Sequence, residues 1–240
     1  FVYFKPWDPP DGEIDLLLCG IGNSMFASTL SQELLRFVER ARHAVGIFGT
    51  QYRTRIDPVL MAGLLDRLEL WFARYQEDAL IYGKRRSNVF WLGDWLIDAF
   101  PLSPWTRDER LDLTSVRLGD LALDRAIQRI QTYREVISPQ IHPLLCALTS
   151  AQRCAYVEQH EDSSGEASGK FRSQLLDIFG REYPERTMFE VDSELVARYK
   201  SKVRHGIADL RERIHALLSG SWQGATRDEH PWGKSETTKD

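Results

Sequence analysis

The sequence has few cysteines and no long apolar run. Its three cysteines, Cys19, Cys146 and Cys154, each lie among apolar residues, and their spacing matches no metal-binding pair. Three is also a poor number for a disulfide framework, so we expect buried free thiols, as in a reducing compartment. The apolar run Ile14–Cys19 is much shorter than the roughly 18 residues that a transmembrane helix needs. We therefore expect neither a metal site nor a membrane span.

An excess of positive charge is also absent. The 240 residues include 31 Lys and Arg against 35 Asp and Glu, which gives a formal net charge of −4. Because nucleic-acid-binding domains are usually basic overall or on one face, no nucleic-acid partner is expected. The first residues have no basic segment or cleavage pattern of a signal peptide, so we expect a cytoplasmic protein. A short basic cluster at 84–86 could contact an anionic inner membrane, with a solvated helix face as the alternative.

The sequence is rich in short apolar runs that alternate with helical patterns. Hydrophobic residues make up 42% of the chain, enough to form a substantial core. In the first part the patterns predict strands at 14–19, 43–49, 68–73 and 88–92, and helices at 28–42, 57–68 and 77–82. These strands are apolar almost throughout, which is typical of a parallel sheet covered on both faces.

The same alternation resumes after residues 100–112, which are rich in proline and charge and which we interpret as a surface linker. Strands are predicted at 111–116, 134–137 and 153–157, and helices at 121–131, 143–150, 171–179 and from Ser193 onward. The sequence therefore predicts an α/β protein with two Rossmann-like parallel-sheet lobes and a long C-terminal helix. The predicted lobes are 1–99, whose start could lie upstream of Phe1, and 100–219, followed by a disordered tail at 220–240.

A glycine-rich loop follows the first predicted strand. Gly20, Gly22 and Asn23 lie between that strand and the first helix. Glycines at such a place let backbone N–H groups approach a ligand, and a helix N-terminus favours an anion. The full dinucleotide-binding fingerprint is absent, so a tight strand-to-helix turn is the alternative.

The segment around His142 is the strongest candidate site. A predicted strand ends just before it and a predicted helix begins there, and open α/β sheets bind ligands at the carboxyl ends of their strands. The helix dipole disfavours a charged imidazole at this end, so His142 could act as a base or neutral donor near neutral pH. The alternative is a histidine with a structural hydrogen bond only.

Two cationic residues could bind an anionic ligand. Arg74 follows the third predicted strand, where its guanidinium could bind a carboxylate or phosphate through two hydrogen bonds. The alternative is a surface ion pair with Glu77 or Asp78. Lys170 follows a polar stretch at 161–169, expected to be mobile, and begins a helix, so it could reach a phosphate. An ordinary solvated lysine is the alternative.

The order of these segments resembles the polysaccharide pyruvyl transferase family, whose fold is related to GT-B glycosyltransferases. Four features carry the resemblance, which spans about residues 12–218. They are an apolar strand entering a glycine loop (14–23), a strand ending in arginine before an acidic helix and then a strand ending in Gly-Asp (71–94), a histidine before an alanine-containing helix (140–148), and a lysine before a helix (169–176).

The resemblance implies a transferase without a cofactor. Such an enzyme moves a pyruvyl group from phosphoenolpyruvate, as a ketal, to a sugar of a surface polysaccharide or a lipid-linked oligosaccharide precursor. The resemblance implies His142 as the acid/base and Arg74 as the ligand of the donor carboxylate. Gln140 stands where the family has a second donor-binding arginine, and Lys170 could supply the missing charge.

Two alternatives remain open from the sequence. The family's opening segment of the Gly-Gly-x-Asn-x-Gly-Asp type is absent from this chain. A GT-B-like glycosyltransferase that uses a nucleotide sugar would place Gly20, Gly22 and Asn23 around a phosphate. A diverged domain that binds glycans without catalysis is the other alternative.

Overall fold

The computed structural model describes residues 12–20, 24–84, 86–116, 118–119, 121–162 and 164–222. The chain is α/β, with two mostly parallel sheets and a long C-terminal helix. It divides into two compact units. The first comprises residues 1–50, 54–91 and 208–240, and the second comprises residues 51–53 and 92–207.

The sheet of the first unit is parallel. Its path is β1-β3-β4-β5, and the short β2 pairs with β3. The strands are β1 (Ile14–Cys19), β2 (Ser24–Met25), β3 (Ala41–Thr50), β4 (Leu70–Ala73) and β5 (Val89–Trp91). All of β4, and β3 from Ala44 onward, is buried. This burial explains why their sequences are apolar without alternation.

Three helices complete the first unit: α1 (Gln32–Val38), α2 (Pro58–Arg67) and α3 (Gln76–Gly83). The α1 helix begins later than the predicted 28–42 because Ser31 caps it, accepting a hydrogen bond from the Leu34 N–H at 3.2 Å. It also ends earlier, since β3 begins at Ala41. Asp57 caps α2 in the same way, and Pro58 occupies its first position, where no N–H is needed. In the basic cluster at 84–86, Arg86 forms an ion pair with Asp66, and residue 85 lies outside the described residues.

The sheet of the second unit has the order β6-β7-β8-β9. Its strands are β6 (Arg107–Asp112), β7 (Tyr133–Ser138), β8 (Arg153–Tyr156) and β9 (Phe189–Glu190), and only β9 runs antiparallel to its neighbour. The interpretation of residues 100–112 as a linker is therefore wrong for 107–112. An edge strand tolerates charged residues, and the first four residues of β6 are charged and exposed, so no apolar pattern marked it.

The helices of the second unit include a nearly buried one at the centre. They are α4 (Leu123–Gln131), α5 (Ile141–Leu148), α6 (Lys170–Phe179) and the start of α7 (Ser193–Leu218), with a 3-10 helix at Trp95–Ala99 that packs against α5. Residues Leu144 to Leu148 of α5 are all buried. The α6 helix is bounded by Gly169 and Gly180, both with left-handed backbone. Of the predicted tail at 220–240, residues 223–240 lie outside the described residues.

The three cysteines are buried free thiols, as predicted. Burial raises the pKa of Cys19 to about 11 and that of Cys146 to about 12, and it also raises the pKa of Cys154. In the part of the chain that the structure describes, no helix combines the length and apolar character needed to cross a membrane.

Candidate functional site

His142 lies in the first turn of α5, at the carboxyl end of β7. The turn between strand and helix is fixed by the buried Ser138. Its hydroxyl donates a hydrogen bond to the Gln140 carbonyl at 2.8 Å and accepts one from the Gln140 N–H at 3.1 Å. The Gln140 side chain is exposed and makes no capping hydrogen bond to α5. Local hydrogen bonding and the apolar packing of α5 therefore set the position of His142.

The imidazole of His142 faces a buried carboxylate. Its Nε2 lies 3.7 Å from Oδ2 of Asp94, and the Asp94 side chain is fully buried while that of His142 is 37% exposed. The other oxygen, Oδ1, accepts a hydrogen bond from the Leu96 N–H at 3.2 Å and so caps the 3-10 helix. A carboxylate at this distance stabilises an imidazolium, whereas the helix N-terminus opposes it. The pair therefore contains the groups that general acid–base chemistry requires.

Glycine at position 93 allows Asp94 to reach this place. Gly93 has φ +83°, a conformation that L side chains rarely adopt. A Cβ atom there would lie 2.7 Å from the hydroxyl oxygen of Tyr199 and 2.7 Å from Cγ2 of Val203. Both the backbone conformation and the space therefore require glycine. The Gly-Asp dipeptide was part of the sequence pattern, but Asp94 was not among the predicted site residues.

Two further buried polar residues, Tyr199 and Gln174, extend the hydrogen bonding of Asp94. The hydroxyl of Tyr199, on α7, accepts a hydrogen bond from the Asp94 N–H and another from Nε2 of Gln174, on α6, each at 2.8 Å. Burial, together with Asp177 and Asp94, raises the pKa of Tyr199 well above its usual value, so the hydroxyl stays neutral. Sequence reasoning missed both residues because periodicity identifies Tyr199 only as part of the apolar face of α7.

Lys170 is buried and linked to the turn that precedes His142. It begins α6 and is only 6% exposed, so the alternative of a solvated lysine is wrong. Its ammonium group donates a hydrogen bond to the side-chain carbonyl of Gln159. The amide of Gln159 in turn donates to the Pro139 carbonyl at 3.3 Å. The second unit therefore brings Lys170 and His142 into one hydrogen-bonded neighbourhood.

The remaining predicted residues belong to the first unit. Arg74 directly follows β4, is 5% exposed, and its backbone N–H donates to the Phe48 carbonyl at 3.1 Å. Asp78 is also buried and accepts hydrogen bonds from the Thr50 N–H and hydroxyl, so a pair of Arg74 with this carboxylate would not lie at the surface. Gly20 has φ +82°, and a Cβ there would lie 2.7 Å from Cβ of Phe48.

Gly22 and Asn23 lie outside the described residues, so the predicted phosphate loop stays a prediction. Within the described ranges, no three His, Cys, Asp or Glu side chains are grouped as they would be around a metal ion. The candidate site of the second unit consists of a histidine–carboxylate pair, a buried lysine and a polar layer behind the pair. No family model, curated protein or solved structure matches the chain.

Proposed function

We propose that this chain is a pyruvyl transferase, which moves a pyruvyl group from phosphoenolpyruvate to two hydroxyls of a sugar. The acceptor belongs to a surface polysaccharide or its lipid-linked precursor. The observation that carries the proposal is the pair of His142 and Asp94, because it joins a partly exposed imidazole to a buried carboxylate at 3.7 Å. The ordered motifs that resemble the pyruvyl transferase family support the choice of donor.

The proposed reaction begins with proton transfer to carbon. The imidazolium of His142 gives a proton to the methylene carbon of phosphoenolpyruvate, and the double-bond electrons form the new C–H bond. The cation left at the central carbon is attacked by one sugar hydroxyl, whose proton passes to the imidazole. A second hydroxyl then adds as phosphate leaves with the electrons of its C–O bond. The phosphate takes up the second hydroxyl's proton, and the products are a ketal and inorganic phosphate.

The geometry favours one nitrogen of the ring for this chemistry. The Nε2 atom is buried and faces Asp94, so the exposed part of the side chain lies elsewhere on the ring. We assign proton exchange with the substrate to Nδ1. The Asp94 carboxylate orients the ring and stabilises the imidazolium, as carboxylates do in other histidine pairs that move protons.

The donor also carries negative charge, which requires cationic partners. Lys170 is proposed to bind the phosphate, because its buried ammonium lies in the hydrogen-bonded neighbourhood of the His142 turn. Arg74 is proposed as a carboxylate ligand on the resemblance alone. A GT-B-like fold and a cytoplasmic location at the inner membrane, where lipid-linked sugars are assembled, belong to the same proposal.

Ligand stabilisation of the purified chain tests the donor. We expect phosphoenolpyruvate to raise the melting temperature, since a ligand at 100 times its Kd adds about 2.7 kcal/mol of stability. UDP- and GDP-sugars should have no such effect. Stabilisation by a nucleotide sugar alone would favour a glycosyltransferase, and no response to either donor would favour a non-catalytic glycan-binding domain.

Activity tests the role of His142. Phosphate release and ketal formation would be followed with phosphoenolpyruvate and a panel of lipid-linked sugars. We expect His142→Ala to abolish both. The matched control is His205→Ala, because His205 is exposed on α7 and its Nδ1 contacts only the Ser201 carbonyl among the contacts described for it. Full activity of His142→Ala would overturn the proposed mechanism.

A further inference from the structure

We infer that Tyr199 is a positioning residue for the pair of His142 and Asp94. Its buried hydroxyl holds the Asp94 backbone in the orientation that directs the carboxylate toward Nε2 of the imidazole. Its effect on catalysis depends on the proposed function, whereas its effect on the His142 ring does not. Tyr199 itself is not assigned any contact with substrate.

The first observation is the hydrogen bond to the backbone of Asp94. The Asp94 N–H donates to the Tyr199 hydroxyl at 2.8 Å, and both residues are buried. Because only two rotatable bonds separate the carboxylate oxygens from this backbone, a shift of the peptide moves the carboxylate as well. A Cβ added at Gly93 would lie 2.7 Å from both the Tyr199 hydroxyl and Cγ2 of Val203, so the residue before Asp94 also lies close to α7.

The second observation is that α7 also holds the far end of this segment. The ammonium of Lys200, the next residue along the helix, donates to the carbonyls of Ile97 at 2.5 Å, Phe100 at 2.7 Å and Asp98 at 3.2 Å. Tyr199 and Lys200 therefore form hydrogen bonds with both ends of the segment 94–100. A helix that holds the segment in this way fixes where Asp94 lies relative to α7, and the 3-10 helix of the same segment packs against α5.

The third observation is the polar character of the layer behind Asp94. Gln174 is fully buried and holds the Tyr199 hydroxyl through Nε2, yet its Oε1 has no hydrogen-bond partner within the described residues. A buried acceptor without a partner is unfavourable, and apolar side chains of similar size would fill the space without this cost. A polar layer kept at such a cost is expected where it sets the geometry of a site.

Two charged groups that act on Tyr199 lie on different elements. Asp177 lies on α6 and Asp94 precedes the 3-10 helix, and both disfavour ionisation of the phenol. The hydroxyl therefore keeps its proton over the pH range in which a histidine titrates. A change at Tyr199 therefore does not act on His142 through a charge of its own, which is consistent with an effect through the position of Asp94.

The test is the titration of the His142 ring, followed by NMR in the full chain and assigned with His142→Ala. We expect Asp94→Asn to lower the titration midpoint by about one pH unit, because a carboxylate that stabilises the imidazolium is removed. Tyr199→Phe should lower it in the same direction. Tyr156→Phe is the matched control, because it removes a hydroxyl hydrogen bond to the Tyr183 carbonyl in the same unit and should leave the midpoint unchanged.

An unchanged midpoint in either Asp94→Asn or Tyr199→Phe would overturn the inference. If Tyr199→Phe does not fold, hydrogen exchange in the wild-type chain decides instead. The Asp94 amide should then be among the slowly exchanging amides, and exchange at the rate of an exposed amide would overturn the inference.

Kinetics separate this inference from the proposed function. With pyruvyl transfer established, Tyr199→Phe should lower kcat about tenfold or more and leave KM for phosphoenolpyruvate unchanged, as expected for loss of a group that orients another. A larger KM with an unchanged kcat would overturn the inference. A shifted His142 midpoint in a chain without pyruvyl transfer would support it and refute the proposed function.

Discussion

One carboxylate oxygen of Asp94 lies near the imidazole of His142, and the other accepts a hydrogen bond from the backbone of its own segment. Oδ2 lies 3.7 Å from Nε2 of the imidazole, while Oδ1 accepts the Leu96 N–H at 3.2 Å. The hydrogen bond within its own segment therefore helps to fix the carboxylate independently of the histidine. An asparagine at this position would therefore remove the negative charge and keep an oxygen that can cap the 3-10 helix.

Asp94→Asn should preserve the fold and reduce catalysis. Its amide oxygen can still accept the Leu96 N–H, but the charge that stabilises the imidazolium is lost. We expect the rate of pyruvyl transfer to fall by about 10²–10⁴-fold, the range for loss of acid–base assistance. Phosphate release measures the rate and circular dichroism checks the fold. Asp108→Asn, on the exposed edge strand β6, is the control, and a well-folded Asp94→Asn at the wild-type rate would contradict the prediction.

Lys170→Met should weaken donor binding without unfolding the protein. The methionine can occupy the buried space, but it cannot donate to Gln159 or to a phosphate. Since a hydrogen bond to a charged group contributes about 1.5–3 kcal/mol, the Kd for phosphoenolpyruvate should rise by about tenfold to a hundredfold. Calorimetry measures the Kd, with the exposed Lys202→Met as the control. Equal Kd values for the two variants would be inconsistent with a phosphate ligand at position 170.

Gly93→Ala should destabilise the chain more than Gly165→Ala does. Both glycines have positive φ, at +83° and +69°, but a Cβ at 165 meets nothing within 4 Å. Gly165→Ala therefore measures the backbone strain alone, about 1–2 kcal/mol, and Gly93→Ala adds the clash with Tyr199 and Val203. Urea unfolding gives both values. Equal losses of stability would show that α7 yields to the added methyl group.

Tyr199→Phe should destabilise the protein most at neutral pH. The Asp94 N–H and the Gln174 amide both lose an acceptor, which costs about 1–3 kcal/mol. The pKa of Tyr199 is raised in the folded protein above the ordinary 10.0, so above that pH the unfolded phenol ionises while the folded one stays protonated. The unfolded state then binds fewer protons, and wild-type stability falls relative to the variant. The urea midpoints of the wild type and the variant should differ at pH 7 and converge above pH 10. A difference that does not change with pH would contradict the raised pKa.

The thiols should react only after unfolding. Burial keeps Cys19, Cys146 and Cys154 protonated and inaccessible, with the pKa of Cys146 raised to about 12. A thiol reagent should therefore label them slowly in the native protein and rapidly in denaturant. Rapid labelling of one cysteine without denaturant would identify an opening of the structure around it.

The apolar runs predicted most strands of the two sheets because those strands are largely buried. Phe48 and Trp71 belong to the buried stretches of β3 and β4, where nearly every residue is apolar and the pattern is clear. By contrast, the strand predicted at 111–116 overlaps β6 only at Leu111 and Asp112, because the charged first four residues of β6 lack an apolar signal. The candidate site was also predictable only where a local sequence pattern marked it. The position of His142 followed from a local strand-to-helix pattern, whereas Asp94, Gln174 and Tyr199 meet only through contacts that are distant in sequence.

The charges of β6 also bear on how the second sheet ends. Open strand edges carry unpaired backbone groups and can recruit a strand from another molecule. Arg107, Asp108, Glu109 and Arg110 place two positive and two negative charges along one described edge, and β9 at the other is only two residues long. A second chain would find a mismatch of charge at one end and too few hydrogen bonds at the other. The charged residues that leave β6 without an apolar pattern therefore also oppose edge-to-edge aggregation of the folded protein.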